Sequence, residues 1–559
     1  ISGHGVESVR APRAQVVHLA THLTSRKSKM ITLGPILGIE QDYKYTVVLL
    51  LPNGVDTANG SLIELVVSAR GITARVPPTT IEDTSQNTLF RFEFEIDPSV
   101  ESETVDYVIE LSNTPIECAS GNSSWTFVVP GQEVIPKVGF ASCNGDHKLM
   151  PPEMHSSEFI MWEKLIQAHH QEDLAYAFHC LLLCGDQVYA DPIWDRVPYF
   201  AKHGLIGRNS TRNMSAHKIS PSEKGDFIAQ LEAFYEELYV GCWTRPAIAK
   251  VLASVPSVMM WDDHDIFDGW GSYPKDLQNC EVFQEIYAVA KRYFELLQIR
   301  TRSNSALLSD DHYSQRVPFR NFEMLILDNR SLRTRDQIMS DLQYKELEDI
   351  KDGSVFDHAH GELAKQPTFI FGIPVPVAHL NYKKRAEGLL GRIGWAFKNN
   401  FVKSYDDDAL DHWDHHLHEG EQKRLIDLLF SFGDTHEPKY IHIVSGDVHS
   451  AGAGRVDRVR GAEKRHLNQL IASPIVYHPV GKIQQKIVHW VSEDVTDIPG
   501  YRVRVDRFGI GENAPANIYE RNFGFLYKAE GKGIMFYLTL EHDQEKYSWD
   551  QPRLFNPDK

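Results

Sequence analysis

The chain has 559 residues, 58 basic against 76 acidic side chains, a formal charge of −18, and 42% hydrophobic and 24% charged content. That balance is globular, and the length calls for two or three units, each able to bury its own core. So acidic a surface repels nucleic acid and anionic membranes, and no apolar run reaches the roughly 20 residues of a membrane helix. An anionic substrate would need strong local positive charge, which bound metal ions would supply.

Residues 1 to 30 are too polar for a signal peptide. The six cysteines, Cys118, Cys143, Cys180, Cys184, Cys242 and Cys280, lack the paired spacing of a disulfide framework. A reducing, cytoplasmic setting is therefore expected, with no membrane or nucleic-acid partner and no sign of an oligomeric state.

From about 12 to 135 the chain alternates in short steps, as in Gln15-Val-Val-His-Leu, Thr46-Val-Val-Leu-Leu-Leu, Leu62-Ile-Glu-Leu-Val-Val-Ser, Leu89-Phe-Arg-Phe-Glu-Phe-Glu-Ile and Tyr107-Val-Ile-Glu-Leu. Gly, Pro, Asn and Asp turns separate these runs, which predicts a small antiparallel β-sandwich over 1–135. Val128 to Lys137, with two prolines and a glycine, reads as a linker.

Strands then alternate with helical periodicity, predicting helices over His155–His170, Lys224–Tyr239, Val282–Leu297, Ser340–Ile350 and Glu419–Phe432. The pattern predicts an α/β domain over 136–484 with helices against its sheet. Residues 485–559 read as a β-rich extension of it.

Five apolar runs in this α/β stretch end in chemically active residues: Val138 to Asn144, Cys180 to Tyr189, Val258 to Asp265, Met324 to Arg330 and Ile441 to His449. Strands buried on both faces read as continuous hydrophobic runs, and ligands sit beyond the ends of such strands. One run would mean little, since an isolated Gly-Asp is usually a turn. Gly185-Asp186-x-x-Tyr189 and Gly446-Asp447-x-His449 repeat the same layout, which favours a metal site at Asp186, Tyr189, Asp447 and His449.

Trp261-Asp262-Asp263-His264-Asp265 gathers acids that repel one another without a cation. Asp263 is the expected ligand there, Asp268 a further candidate, and His264 the expected general acid, because imidazole is tunable near neutrality. Asp328 is expected as a ligand, with Arg330 gripping phosphate through its planar fork, although a loop arginine is more often a surface ion pair. Cys143, commonly an inert small residue at a strand end, gains chemical meaning from Asn144-Gly145-Asp146 beside it. Thiolate and phenolate suit a transition metal, while aspartates alone suit Ca²⁺, Mg²⁺ or Mn²⁺. The histidine-rich stretch Asp411 to His418 lies outside any strand end and is left out of the site.

Together Ser142-Cys143, Gly185-Asp186-Gln187-Val-Tyr189-Ala-Asp191, Trp261 to Asp265, Leu327-Asp328-x-Arg330 and Ser445-Gly446-Asp447-Val-His449 resemble the PhoD-like alkaline phosphatases of the calcineurin-like metallophosphoesterase superfamily. Gln469-Leu-Ile-Ala-Ser473-Pro474-Ile475 belongs to the same likeness, which spans about 138 to 476. The resemblance implies a four-layer αββα catalytic sandwich behind the β-sandwich. It also implies Fe³⁺ and Ca²⁺, the second metal open to Mn²⁺, Mg²⁺ or Zn²⁺, with Cys143, Asp186, Tyr189, Asp447 and His449 on metal positions. Where many members have Asp-Asp-His-Glu followed by asparagines, this chain has Asp-Asp-His-Asp265-Ile-Phe-Asp268, which bears on the second metal.

The expected activity is metal-assisted hydrolysis of a small phosphate ester, mono- or diester, by activated hydroxide. His264 would protonate the leaving group while Arg330 and Asn144 hold the nonbridging oxygens. The rivals are a Cys143 nucleophile activated by histidine, and a noncatalytic binding protein built on the sandwich with a degenerate phosphatase domain.

Overall fold

The structure, a computed structural model, describes residues 30–54, 63–97, 99–171, 173–206, 210–379, 413, 415, 417–459, 465–479, 481, 495–506, 516–529 and 533–542. The expected strand at Gln15 and much of the Asp411 to His418 stretch lie outside the described residues. All five apolar runs are strands, at Val138–Ala141, Cys180–Cys184, Ser257–Met260, Phe322–Ile326 and Tyr440–Ser445, and every residue in them is buried.

They belong to two sheets. In the first, Val138–Ala141, Cys180–Cys184 and Ser257–Met260 run parallel as neighbours, with Ala141 level with Leu183 and Cys184 level with Met260. In the second, Phe322–Ile326, Thr368–Gly372, Tyr440–Ser445 and His466–Ile471 are parallel. The even-odd alternation of side chains sorts the second sheet's faces. Leu325, Phe369, Phe371, Ile441 and Ile443 pack with residues of the helices Asp341–Asp352 and Glu419–His436. Met324, Ile326, Ile370 and Val444 turn the other way, into one cluster with the first sheet. That cluster also takes in the buried residues of the helices Ile160–His169, Lys224–Trp243, Pro246–Ser254 and Glu281–Leu297. The result is the expected αββα layering.

The expected helices form, with shifted ends: His155–His170 begins as a 3₁₀ turn at Ser156–Phe159, and Glu419 runs on to His436. Ser340 caps the Asp341–Asp352 helix by accepting from the Gln343 amide. Pro246–Ser254 was not expected to be helical, although its proline at the first helical position is a start signal.

The amino-terminal strands do form two layers. One is a separate sheet ordered Ser124–Val129, Glu103–Leu111, Ile63–Ala69, Ile72–Val76. The other layer, Leu33–Gln41, Lys44–Pro52, Asn87–Glu95 and Thr80–Asp83, continues the first of the two sheets, with Gly38 paired to Ser257 and Ser257 Oγ donating to the Leu37 carbonyl. Arg320 ties down the proline-rich connection by donating to the Pro130 and Gly131 carbonyls while pairing with Asp42. At the other end of the chain, Asn522–Ala529 pairs antiparallel with Val138–Ala141, and Tyr501–Asp506 pairs with Ala451–Arg458. Among the described residues no helix is long and apolar enough to cross a membrane.

His442 lies in the core between the sheets, against Tyr440 and Phe536, with neither ring nitrogen hydrogen-bonded. Burial pushes its pKa down to about 3, so the folded protein holds it neutral. The unfolded imidazole gains a proton near pH 6.5, so this residue's contribution is intact above that pH and is lost as pH falls. Between pH 7 and 5.5 the loss is about 1.3 kcal/mol. His442→Leu is expected to flatten the acid decline of the urea-unfolding midpoint by that amount, read at the two pH values.

Candidate metal centre

The level ends of the parallel strands deliver their next residues to one place. Asn144 N donates to the Asp186 carbonyl, Gly185 N to Met260, Ile475 N to Ser142, and Gly446 N to Pro374. Two glycines allow the convergence. Gly185 has φ +94°, and a Cβ there would stand 2.8 Å from Asp262 Cβ. At Gly446 a Cβ would meet Ser142 Cβ at 2.3 Å and the Cys184 carbonyl oxygen at 2.6 Å, so only glycine lets the two sheets touch here. Cys143, Asp186, Asp447 and His449 all sit in the left-handed region, at φ 57°, 55°, 66° and 48°. Such strain persists where surrounding structure over-determines it, and it concentrates at functional sites.

Three sets of donor atoms lie within 4.8 Å of one another: Cys143, Asp186 and His449; Asp186, Asp263 and His264; and Asp186, Asp262, Asp263 and Asp447. Asp186 is common to all three. Tyr189 joins the first, its hydroxyl 3.4 Å from Asp186 Oδ2 and 3.1 Å from His449 Nε2. Asp186 Oδ1 and Asp262 Oδ2 are buried and accept no hydrogen bond. Orphaned buried carboxylate oxygens at the focus of four acids fit cations well.

The protonation preferences agree. Burial, then the neighbouring acids, holds the Asp186 carboxyl well above its usual range; burial, set against Arg330, lifts Asp262 to about 7. Burial and Asp186 likewise raise the Cys143 thiol, and burial and Cys143 raise the Tyr189 phenol. Bound cations would reverse each of these shifts. His449 is pushed well below its ordinary value by burial and by the imidazoles of His264, His478 and His147, leaving its lone pair available to a metal. For His264 burial works against the charged form, but Asp191, Asp263 and Asp186 outweigh it. Its Nδ1 is 2.8 Å from Asp191 Oδ2, so Asp191 fixes the ring and favours a protonated imidazolium.

Four expected site residues take other places. Asn144 is locked into packing: its Oδ1 accepts from Trp162 Nε1, and its Nδ2 donates to the Gln187 carbonyl, which leaves the side chain committed to the core. Asp328 is a structural hub, accepting from Trp261 Nε1 and from the amides of Tyr313, Arg330 and Ser331, and it belongs to none of the donor sets. Asp268 is exposed and also outside those sets. Arg330 is fully buried, its Nε paired with Asp262, its Nη2 3.4 Å from Asp263, and Nη1 donating to the Trp270 carbonyl. It balances the acids and orients two of them.

Two acids of the quoted motifs acquire roles that the sequence reading had not assigned: Asp262 as a donor and Asp191 as the partner of His264. Asp265 braces the loops, accepting from the amides of Gln187, Val188 and Asp262 and from Gln298 Nε2. From the histidine-rich stretch, His418 and Trp413 bond to the backbone carbonyls of Arg335 and Val375.

Residues 141–313 match the family described as PhoD related phosphatase, an interval that contains Cys143, Asp186, Tyr189 and the Asp262 to His264 acids. The solved structure of PhoD aligns over 92% of this chain and 91% of its own, with a TM-score of 0.51 at 13% identity. The fold is that of PhoD. A purple acid phosphatase, PPD1 from yellow lupin (Lupinus luteus) seeds, aligns over 93% of this chain and 73% of its own, with a TM-score of 0.43 at 10% identity. The uncharacterized protein YGR266W of Saccharomyces cerevisiae is 25% identical over 436 residues. That alignment takes in 69% of this chain and 58% of the yeast protein.

Asp186→Asn is expected to strip metal from both positions, measured by elemental analysis of the purified protein, because it removes the shared donor. Asp268→Asn is expected to retain the wild-type metal content. Asp328→Asn should keep its metals but lower the melting temperature, since it replaces a hydrogen-bond acceptor by a donor against buried amides.

Proposed function

We propose that this PhoD-like chain is a metal-dependent phosphoric ester hydrolase acting on small mono- or diesters. The observation that carries the reading is Asp186, a buried carboxylate shared by all three donor sets and possessing an oxygen with no hydrogen bond. Cys143, Tyr189, Asp186 and His449 would hold Fe³⁺, while Asp186, Asp262, Asp263 and Asp447 would hold Ca²⁺, or Mn²⁺, Mg²⁺ or Zn²⁺ in its place. When bound, such a pair supplies a nucleophilic hydroxide at neutral pH and offsets phosphoryl charge.

The chain's own residues do the rest. Asp186, common to the donor sets, would be shared between the two positions. Asp191 holds His264 Nδ1, so Nε2 carries the proton that passes to the departing alkoxide. Tyr189 stacks on His264 with ring centroids 4.3 Å apart and limits its swing. Arg330 pairs with Asp262 and Asp263 and orients them. No phosphoenzyme is needed. A Cys143 nucleophile is disfavoured because the thiol is fully buried, with Asp186 raising its pKa.

Elemental analysis combined with a panel of phosphate mono- and diesters tests the assignment. Turnover is expected to vanish with chelators and survive thiol alkylation; the opposite pattern would overturn it. His264→Asn is expected to lower kcat by about 10²- to 10⁴-fold for alkyl phosphate esters. The loss should be much smaller for nitrophenyl esters, whose leaving group departs without a proton.

A further inference from the structure

We propose that Tyr477 is a positioning residue for His449, holding the imidazole through the face of its ring. The inference rests on reading Cys143, Asp186 and His449 as metal donors. A metal-bound histidine is ordinarily oriented by a hydrogen bond from its second ring nitrogen to a carboxylate, carbonyl or water. Here the Tyr189 hydroxyl, 3.1 Å from Nε2 and itself one of the expected metal donors, is the only hydrogen-bond partner of the His449 ring among the described residues.

What holds the ring is a stack. The Tyr477 and His449 ring centroids lie 3.9 Å apart at an interplanar angle of 15°, tighter than the other ring contacts of this site. Tyr477 is fixed in turn from several sides. Its amide donates to the Cys143 carbonyl at 3.1 Å, its hydroxyl meets His147 Nδ1, and its ring lies 4.3 Å from His478 and 5.4 Å from Tyr189. One residue thus reaches, by its amide, the strand end that carries Cys143 and, by its ring, the phenol of Tyr189 and the imidazole of His449, three donors that arrive from three separate strands. A stacked aromatic pair fixes a plane, which is what a metal-binding imidazole requires.

Cobalt(II) binding to metal-free protein tests this, with affinity and the visible d–d spectrum as readouts and thermal melting of the metal-free protein as the control. Tyr477→Phe keeps the ring and drops the hydroxyl; Tyr477→Leu and Tyr477→Met keep the bulk without a π face. The phenylalanine variant is expected to bind cobalt within about threefold of wild type. The leucine and methionine variants are expected to bind about 10- to 100-fold more weakly, with an altered spectrum and little change in melting. Wild-type affinity in either aliphatic variant overturns the proposal, and so does an equal loss in the phenylalanine variant, which would assign the effect to the hydroxyl. The measurement needs no substrate: a wild-type chain that binds cobalt but cleaves no ester refutes the hydrolase reading and still decides the role of Tyr477.

Discussion

Asp186, Asp262, Asp263 and Asp447 are drawn within 4.8 Å of one another in a largely buried space, with Arg330 the guanidinium set directly against Asp262 and Asp263. Unit charges at about 4 Å repel by roughly 4 kcal/mol at an effective dielectric near 20, so several such pairs strain the fold unless protons or cations intervene. Much else around the site answers that crowding: the raised carboxyl pKa values, the burial of Arg330 and the bracing of both loops by Asp265.

The strand ends were readable because burial on both faces writes itself as an unbroken apolar run, and because Gly-Asp follows two of the runs. What the sequence hid were partnerships formed across space. Asp328 and Asn144 carry functional groups like those of the clustered side chains, but Tyr313, Ser331 and Trp162 consume them, at separations of 15, 3 and 18 positions. Arg330 looked like a phosphate clamp until its contacts with Asp262 and Asp263 were known. Tyr477 carried no local signal, since a tyrosine after Ile475-Val476 has the pattern of ordinary core.

The αββα layering followed from alternation: each strand of the second sheet sends one parity of side chain to the helices and the other to the first sheet. The helices were found by their three-to-four spacing, apart from Pro246–Ser254, which is short and apolar enough to pass for a buried strand. Periodicity cannot report how sheets join, and so it separated the amino-terminal strands from the catalytic ones more cleanly than the hydrogen bonds do.

That junction has a consequence for the architecture of the whole protein. Because Leu33–Gln41 lies alongside Ser257–Met260 in a single sheet, the β-sandwich works as a lateral cap on the parallel strands. Cutting the chain at the proline-rich connection would strip that cap and leave Ser257–Met260 as an open, mostly apolar border, the kind of surface that seeds intermolecular strand pairing.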